Sequence, residues 1–474
     1  MVIKKAGRSF YELPPEGGMR VPAYAYISDE MARQEGTAQA LGQLSNVARL
    51  PGVRRFVVAM PDIHYGYGFP IGGVCATDVE SGVISPGGVG YDINCGVRAI
   101  GSSLTLEEVR NKLEKLMIEL YETVPAGVGS AGNVRLSNKE ERRVAGLGAL
   151  WAVKNGYGEE EDIVRCEDGG MLEGAEYSAV SSSARERGRA QLGTLGAGNH
   201  FIEVSCVSRV FDPKAADAYG LFEGRIVVLL HTGSRGFGYQ VCNDYLSLMR
   251  TSCAFEPPDP QLVSVYLKEE LGKRYLGAMR AAANYAWANR QVLTCLIRGC
   301  FERVFGRSCS RLGMRVVYDV SHNIARLERH EVDGKSTLLC VHRKGATRAF
   351  GPGHPNLPEP YRDTGQPVLI PGDMGTASYI LKGTAAGMDK SFGTACHGAG
   401  RLLSRRKAQE AAQTRDIRRE LRDAGVVVMS RSHRTLKEEM PEAYKDVSSV
   451  VDIVEQNDLA RRVARLVPVG VIKG

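Results

Sequence analysis

The chain has 474 residues, of which 43% are hydrophobic and 24% charged, a composition typical of globular proteins. The length allows one large α/β domain or two to three average domains. No stretch approaches eighteen consecutive apolar residues and no apolar signal core follows the first residues, which predicts a cytoplasmic protein without membrane association. Eleven scattered cysteines without a C-x-x-C pair indicate reduced thiols, and a net charge of +7 mildly favours an anionic partner.

The first half of the chain alternates helices, short strands and glycine-rich loops. Ser28 to Leu50 predicts a helix capped by Ser28, and Thr105 to Tyr121 predicts another, with Thr105 and Glu108 as a capping box. Glycine and proline disfavour a helix at 86–96. Strands are predicted at 53–60, 74–84 and 97–104, glycine-rich loops at 61–73 and 86–96, and helical runs near 138–155 and 172–188.

The second half predicts more short strands around one long helical segment at 260–306. A basic helix is expected from Arg401 to about residue 424, and Pro468 is expected at a strand start or a sheet edge. Further strands are predicted from about 201 and at 225–230, 316–320, 338–342, 368–370, 426–429 and 469–472. No repeat or convincing linker occurs, and loops with polar residues extend from 62 to 401, which favours one interwoven domain.

Five of the nine histidines follow a short strand or lie in a glycine-rich loop. Strand ends are where α/β folds present ligands and catalytic groups. A single histidine in such a place is usually structural, but the repetition predicts a histidine-rich metal or catalytic centre. The five are His64, His200, His231, His322 and His397.

The glycine-rich loop at 86–96 carries Asp92 and Cys95, one hard oxygen ligand and one soft thiolate. Alone, this pair is more simply a turn with a buried cysteine. Together with three histidines, the pair supplies enough ligands for two metal ions, the usual device of phosphoryl-transfer chemistry. The ligand types suit zinc, cobalt or manganese and do not choose among them.

His397 is followed by Gly398, Ala399, Gly400 and Arg401. If a helix starts there, its free backbone amides form an anion site beside the histidine. His397 is then either a nucleophile that forms a phosphoramidate or a simple phosphate contact. Basic clusters indicate nucleic-acid contact or solvated helix faces; they comprise Arg185, Arg187 and Arg189, and Arg401, Arg405, Arg406 and Lys407.

Taken together, these loops resemble the RtcB family of RNA ligases, most closely its archaeal members. The motifs that carry the resemblance run in order along nearly the whole chain. They are PDIHYGYGFPIGG at 61–73, SPGGVGYDINCGVR at 85–98, LGTLGAGNHFIEV at 192–204, HTGSRGFG at 231–238, DVSHNIA at 319–325, HRKGATRAFGPGHP at 342–355, PGDMGTASY at 371–379 and CHGAGR at 396–401.

The resemblance implies a single α+β domain over 1–474, with mixed sheets around a central metal cleft and a peripheral helical layer. It implies a GTP- and manganese-dependent enzyme that joins an RNA 3′-phosphate or 2′,3′-cyclic phosphate to a 5′-hydroxyl through histidine-GMP and an activated RNA end. The expected substrates are tRNA exon halves or broken RNA. Archease is an expected partner, and the chain is expected to be a monomer.

The family pattern also implies a role for each matching residue. Cys95, His231 and His322 would hold one Mn²⁺, while Asp92, Cys95 and His200 would hold the second, and His397 would accept GMP. Guanylate contacts are implied for Asn199, Glu203, His322, Asn323, Asp373, Ser378, His397, Gly398, Ala399, Gly400, Tyr444 and Lys473. Contacts to RNA or phosphate are expected at Asp62, Arg187, Arg235, Arg401 and Arg405.

Asp373 departs from the family pattern, which often has serine at this position, so a nucleotide contact there is expected to differ. A carboxylate near phosphates repels them unless it faces a base, a metal or a cation. Two other function classes stay open on the residues alone. The metal ligands equally suit a binuclear phosphoesterase or nuclease, and the basic clusters suit a non-enzymatic RNA-binding scaffold.

Overall fold

The computed structural model describes residues 3–474. The strands of this part of the chain are β1 (Lys4–Gly7), β2 (Phe10–Leu13), β3 (Ala23–Ala25), β4 (Val53–His64), β5 (Ile71–Asp78), β6 (Val83–Ile84), β7 (Gly96–Thr105), β8 (Phe201–Val210), β9 (Arg225–Thr232), β10 (Val265–Tyr266), β11 (Arg315–Ser321), β12 (Asn323–Val332), β13 (Lys335–Lys344), β14 (Ala346–Arg348), β15 (Pro367–Ile370), β16 (Ser378–Gly383), β17 (Thr394–Cys396), β18 (Val427–Ser430) and β19 (Ala460–Lys473).

The α-helices are α1 (Asp29–Ala32), α2 (Glu35–Val47), α3 (Pro86–Val89), α4 (Leu106–Arg110), α5 (Leu113–Thr123), α6 (Asn138–Leu147), α7 (Ala149–Lys154), α8 (Glu160–Val164), α9 (Ser182–Arg189), α10 (Pro213–Tyr219), α11 (Arg235–Ser252), α12 (Glu270–Phe305), α13 (Ala385–Ser391), α14 (Arg405–Ala411), α15 (Ile417–Asp423), α16 (His433–Glu438) and α17 (Val447–Gln456). Among the described residues, no helix has both the length and the apolar character needed to cross a bilayer.

Two large sheets organise the described chain, and both mix strand directions. The first has the order β1-β2-β3-β4-β5-β13-β12, with β3 and β4 parallel. The second has the order β11-β7-β9-β8-β19-β16-β15, and β18 pairs with β19 in parallel. The remaining pairs within these sheets are antiparallel, which gives the mixed α+β architecture that the sequence predicts.

The long helix α12 packs against β9 of the second sheet. It contacts α5, α6, α7 and α11, and most of its residues from Tyr275 to Thr294 are buried. The predicted helical segment 260–306 is therefore helical from Glu270, while residues 265–266 form a short strand with β6. The predicted helical layer is present. Its helix α12 is not peripheral, however, because it lies inside this layer and reaches the candidate functional site. The division of the chain into a single domain stays a prediction.

Several local predictions are corrected by the structure. Residues 86–89 form one helical turn, because Pro86 at the first position presets the backbone and Gly90, at φ 101°, ends it. The predicted run at 172–188 has a 3-10 turn at Tyr177–Ala179 and is α-helical only from Ser182. Pro468 lies inside the long strand β19, where a shift in the pairing with β8 between Pro468 and Gly470 accommodates it. The Ser28 cap and the Thr105–Glu108 capping box are confirmed.

Candidate metal centre and nucleotide site

One end of the second sheet carries the sequence-predicted metal ligands. Strands β11, β7, β9 and β8 are neighbours and alternate in direction, so the starts of β7 and β8 lie beside the ends of β9 and β11. The register pairs Ser321 with Gly96, and it pairs His231 with both Val97 and Phe201. The residues that meet at this end are Cys95, His200, His231 and His322.

The ligand atoms form two overlapping triads that share Cys95. The Cys95 Sγ atom lies 3.2 Å from Nε2 of His231 and 3.4 Å from Nε2 of His200. The Nε2 atoms of His231 and His322 are 3.3 Å apart, and Asp92 Oδ2 is 2.8 Å from Nε2 of His200. Within each triad, all ligand atoms lie within 4.8 Å of one another. These are the same two groupings that the family resemblance implies.

The chemistry of this donor set fits divalent metal ions. Burial lowers the pKa of His231 and His322 well below the usual range, so both rings are neutral, the form that coordinates metals. Burial also raises the pKa of Asp92, but the hydrogen bond and the charge of His200 outweigh this effect and leave a pKa of about 2. Burial raises the pKa of the Cys95 thiol, and a coordinated metal would reverse that shift by stabilising the thiolate.

A buried charge network holds in place the two loops that carry candidate metal ligands. Asp319 accepts hydrogen bonds from Arg98 Nε at 2.7 Å and from Arg290 Nε at 2.8 Å, and all three side chains are fully buried. Arg290 also donates to the carbonyl oxygens of Asn94 at 2.8 Å and Thr232 at 3.0 Å. These two residues directly neighbour two of the metal ligands, so α12 positions both loops.

The approach of the β9–α11 loop to Asp92 requires a residue without a side chain. A Cβ atom on Gly233 would lie 2.3 Å from Asp92 Oδ1. The next residue, Ser234, donates its backbone N–H to that same oxygen at 3.0 Å. Asp92 is therefore oriented by one loop while its other carboxylate oxygen faces His200.

His397 reaches the metal centre from the other side of the cleft. It follows β17, which pairs with β14, and its ring centroid is 4.8 Å from that of His322. Its Nδ1–H donates to Asp62 Oδ2 at 2.5 Å, and its backbone N–H donates to the same oxygen at 2.9 Å. Asp62 is fully buried, so it holds the ring rather than facing solvent. This arrangement leaves the Nε2 atom of His397 free.

The helix expected from Arg401 begins only at Arg405, which removes the predicted helix N-terminus beside His397. Ser404 caps α14, and its hydroxyl accepts the backbone N–H of Lys407 at 3.2 Å. Arg401 instead forms an isolated bridge with Tyr444, and its guanidinium donates to Glu439 at 3.0 Å. The chain after His397 therefore continues as a loop around the cleft.

A cavity of about 380 Å³ connects the metal centre to His397, a volume typical of small-ligand sites. Burial raises the pKa of Glu203 to about 7, although Ser205 and Ser378 donate to it at 2.6 Å and 3.1 Å. The sequence-predicted guanylate residues that line the cavity are Asn199, Glu203, His322, Asn323, Asp373, His397, Gly398, Ala399, Gly400, Tyr444 and Lys473.

Lys473 shows that residues far apart in the sequence meet in this site. It lies on the last strand, where β19 pairs it with Phe201 and Ser430, and its side chain is buried. Its Nζ atom is 3.7 Å from Glu439, and burial lowers its pKa. An ammonium in this position offers a positive charge to the cavity.

The carboxylate of Asp373 is turned into its own loop. Its Oδ1 atom accepts the backbone N–H of Gly375 at 2.8 Å and that of Thr376 at 3.0 Å. Its Oδ2 atom accepts the Thr376 hydroxyl at 2.7 Å. Because both oxygens are already satisfied, this carboxylate closes the 371–379 loop.

The arginines predicted to contact RNA surround the cavity in two groups. Arg401 and Arg405 line it, and the Arg405 side chain is 59% exposed. Arg235 begins α11 with a left-handed backbone (φ 55°), and its Nε donates to Thr194 at 3.3 Å. Arg187 lies on the exposed side of α9.

Comparison with known proteins places the chain in a family. Residues 43–474 match the family model described as tRNA-splicing ligase RtcB. The chain belongs to the RtcB family. Among its relatives, proteins named tRNA-splicing ligase RtcB are 52% identical in Thermococcus kodakarensis and 50% in Archaeoglobus fulgidus, and each alignment covers 100% of this chain and 99% of the relative. The relative from Aeropyrum pernix is 51% identical, with 96% of both chains covered.

Some residues of this RtcB-family site were not singled out from the sequence. Glu439 lies in the cavity wall, fully buried, where it accepts from Arg401 and Tyr444. Arg290 and Asp319 form the buried network that holds the loops with the candidate metal ligands. Tyr91 lines the cavity beside Asp92. Glu439 has no recognisable motif, and Arg290 lies within an ordinary helical pattern. Only Asp319 and Tyr91 carried a signal, since both lie within motifs that define the RtcB resemblance.

Proposed function

We propose that this RtcB-family chain is a GTP- and Mn²⁺-dependent RNA ligase that joins 2′,3′-cyclic phosphate or 3′-phosphate ends to 5′-hydroxyl ends. The observation that carries the proposal is the environment of His397. Its Nδ1–H is held by Asp62, its Nε2 is free, and its ring lies 4.8 Å from that of the metal-ligand candidate His322. A nucleophilic nitrogen beside a metal cluster is an arrangement suited to nucleotidyl transfer.

The metal assignment follows the two triads. Cys95, His231 and His322 would hold one Mn²⁺, and Asp92, Cys95 and His200 would hold the other, with the thiolate shared. When bound, the ions offset negative charge as phosphate groups meet. Outside the triads, His200 Nδ1–H donates to the carbonyl of Leu195 at 3.0 Å, which presents its Nε2 lone pair to the metal.

The proposed first step forms a bond between His397 Nε2 and the α-phosphorus of GTP, while the bond to the pyrophosphate oxygen breaks. Asp62 supports this attack, because a carboxylate that accepts Nδ1–H keeps the lone pair on Nε2 and stabilises the positive charge that develops on the ring. Pyrophosphate leaves, and GMP stays on the histidine.

The following steps transfer GMP to RNA and then release it. A cyclic phosphate is first opened by water to a 3′-phosphate. An oxygen of that 3′-phosphate attacks the GMP phosphorus, and the bond to His397 breaks. The 5′-hydroxyl of the second strand then attacks the phosphorus of the RNA 3′-phosphate, loses its proton, and expels GMP. GMP thereby converts a poor leaving group into a good one.

The guanylate contacts are proposed from the cavity residues and from Ser378, which does not line the cavity but donates to Glu203. An ionised Glu203 would accept guanine N–H donors, and Lys473 would offset phosphate charge. Asn199, Asn323, Asp373, Ser378, Gly398, Ala399, Gly400 and Tyr444 complete the proposed guanylate set. RNA phosphates would contact Arg187, Arg235, Arg401 and Arg405.

The biological setting is proposed from the resemblance and from the names of the relatives. The substrates would be tRNA exon halves or broken RNA, in splicing or in repair. The chain would act as a cytoplasmic monomer, with archease as an activating partner.

An RNA-joining assay tests the function. The wild type, supplied with GTP and Mn²⁺, is expected to join a 3′-phosphate oligonucleotide to a 5′-hydroxyl oligonucleotide. His397→Ala is expected to abolish joining, whereas His354→Ala, which removes a half-buried histidine outside the cavity, serves as the matched control. If the wild type removes phosphate from RNA ends but never joins them, the phosphoesterase hypothesis replaces the ligase.

A further inference from the structure

A row of three tyrosines runs from the cavity to the protein surface beside the metal centre. Tyr67 and Tyr91 both line the cavity, and their ring centroids are 5.7 Å apart in an edge-to-face arrangement. Tyr91 also stacks on Tyr239, with centroids 5.0 Å apart and an interplanar angle of 26°. Tyr239 lies on α11 and is 48% exposed. We call Tyr67, Tyr91 and Tyr239 the tyrosine row.

The surroundings of the tyrosine row are basic. The Arg187 guanidinium lies 5.8 Å from the centroid of the Tyr239 ring, and Arg250 Nη2 donates to the Tyr67 hydroxyl at 3.2 Å. Both arginines are exposed. The nearby carboxylate of Asp244 is engaged by Ser181 at 2.5 Å and by Gln240 at 2.7 Å. Aromatic rings flanked by exposed arginines are the usual surface for single-stranded nucleic acid.

We infer that the tyrosine row stacks the bases at the phosphate-bearing 3′ end of a single-stranded RNA. This inference rests on the proposed function and deepens it by assigning a base-binding subsite to one of the two strands. A base within a duplex presents no free face, so stacking on a side chain requires an unpaired end.

The position of Tyr91 indicates which of the two RNA strands the tyrosine row binds. It directly precedes Asp92, whose carboxylate belongs to the metal cluster that attracts a terminal phosphate. The strand with a 5′-hydroxyl lacks that phosphate and therefore lacks this anchor. A phosphate held near Asp92 brings the adjoining bases to Tyr91, and the next bases then reach Tyr239 and Arg187 at the surface.

The test measures binding of a fluorescent single-stranded RNA with a 3′-phosphate, in Mn²⁺ without GTP, so that joining does not occur. Tyr239→Ala is expected to weaken binding by roughly 5- to 150-fold, the usual range for one stacked base. Tyr239→Phe is expected to bind like the wild type because it keeps the ring. The matched control is Phe222→Ala, which removes an equally exposed ring in the loop just before β9, near the strand end remote from His231.

A second probe lacks the bases of its last two 3′ nucleotides. The wild type is expected to lose the most affinity for this abasic RNA, because the missing bases then stack on neither Tyr91 nor Tyr239. Tyr239→Ala keeps the Tyr91 ring, so it is expected to distinguish the two probes by a smaller factor than the wild type does. An equal loss for the abasic RNA in both proteins would overturn the inference, since the ring and the bases would then act independently. The inference would also be overturned if Tyr239→Ala weakened binding only of an RNA strand that ends in a 5′-hydroxyl.

Labelling of His397 by GTP, which needs no RNA, separates the possible failures. If Tyr239→Ala loses labelling and RNA binding in parallel, the ring supports the site itself and the inference is wrong. If the wild type is never labelled but still discriminates the abasic RNA through Tyr239, the proposed ligase function fails while the tyrosine row stands. If labelling and joining occur while Tyr239→Ala binds RNA like the wild type, only the tyrosine row fails.

Discussion

Arg290→Met tests whether the buried helix α12 holds the metal centre as well as the fold. Arg290 makes five hydrogen bonds: two to the carboxylate of Asp319, two to Asn94 and one to the carbonyl of Thr232. Methionine fills similar space but donates none of them. Asp319 keeps only its contacts from Arg98 and Trp287, and two loop carbonyls lose a donor.

The expected cost of Arg290→Met is about 3–5 kcal/mol of unfolding free energy, the range for breaking one side of a buried ion pair. Because the lost donors orient loops that carry metal ligands, we also expect Mn²⁺ affinity to fall by roughly 10- to 100-fold. Thermal unfolding and titration calorimetry of Mn²⁺ measure the two effects separately.

Arg298→Met is the matched control for this prediction. Arg298 lies farther along α12 and forms a bidentate pair with Asp162, with both N–O distances at 2.7 Å. This variant is expected to lose stability while it keeps its metal affinity. If the two variants weaken Mn²⁺ binding equally, the proposed role of Arg290 in holding the metal loops is wrong.

Three further predictions concern the nucleotide site. Asp62→Asn is expected to slow guanylylation of His397 by roughly 100-fold, because the carboxylate charge beside Nδ1–H is lost. The unfolding temperature is expected to stay unchanged, and a normal labelling rate would contradict this role of Asp62. Because the pKa of Glu203 is raised to about 7 and guanine requires the ionised form, GTP affinity should fall about tenfold per pH unit below 7, and a Glu203→Gln variant with the same pH profile would refute that assignment. Gly400→Ala should impair guanylylation more than the control Gly353→Ala. Both glycines have positive φ, but only a Cβ at position 400 would lie 2.4 Å from the carbonyl oxygen of Asp62. Equal effects of the two variants would exclude this close contact with Asp62 as the cause.

The sequence predicted the site residues better than their arrangement. Histidines at strand ends are visible locally, because a short apolar run followed by glycine and a polar dyad is itself the signal. The meeting of Cys95 with His231 and His322 depends on the order β11-β7-β9-β8, a consequence of long-range pairing that no local pattern encodes.

Three residues show where tertiary contacts override local preference. Arg401 lies in a sequence with helical character, but its guanidinium is held by Glu439 and the backbone, and the chain stays a loop until Ser404 caps α14. The sequence predicts Pro468 at a strand start or a sheet edge, yet a register shift accommodates it within a central strand. Lys473 has no local signal of burial, and it becomes buried only because β19 lies between β8 and β18.

Locating the covalent nucleotide tests the proposed histidine-GMP intermediate directly. The protein is incubated with GTP labelled at the α-phosphate and with Mn²⁺, and peptides that carry acid-labile label are mapped by mass spectrometry. We expect GMP on His397, loss of the label in Cys95→Ala with the fold retained, and full labelling in Cys206→Ala, which removes a buried thiol on β8 outside the triads. A wild-type protein that takes up no label, or carries it on another residue, would contradict the central claim.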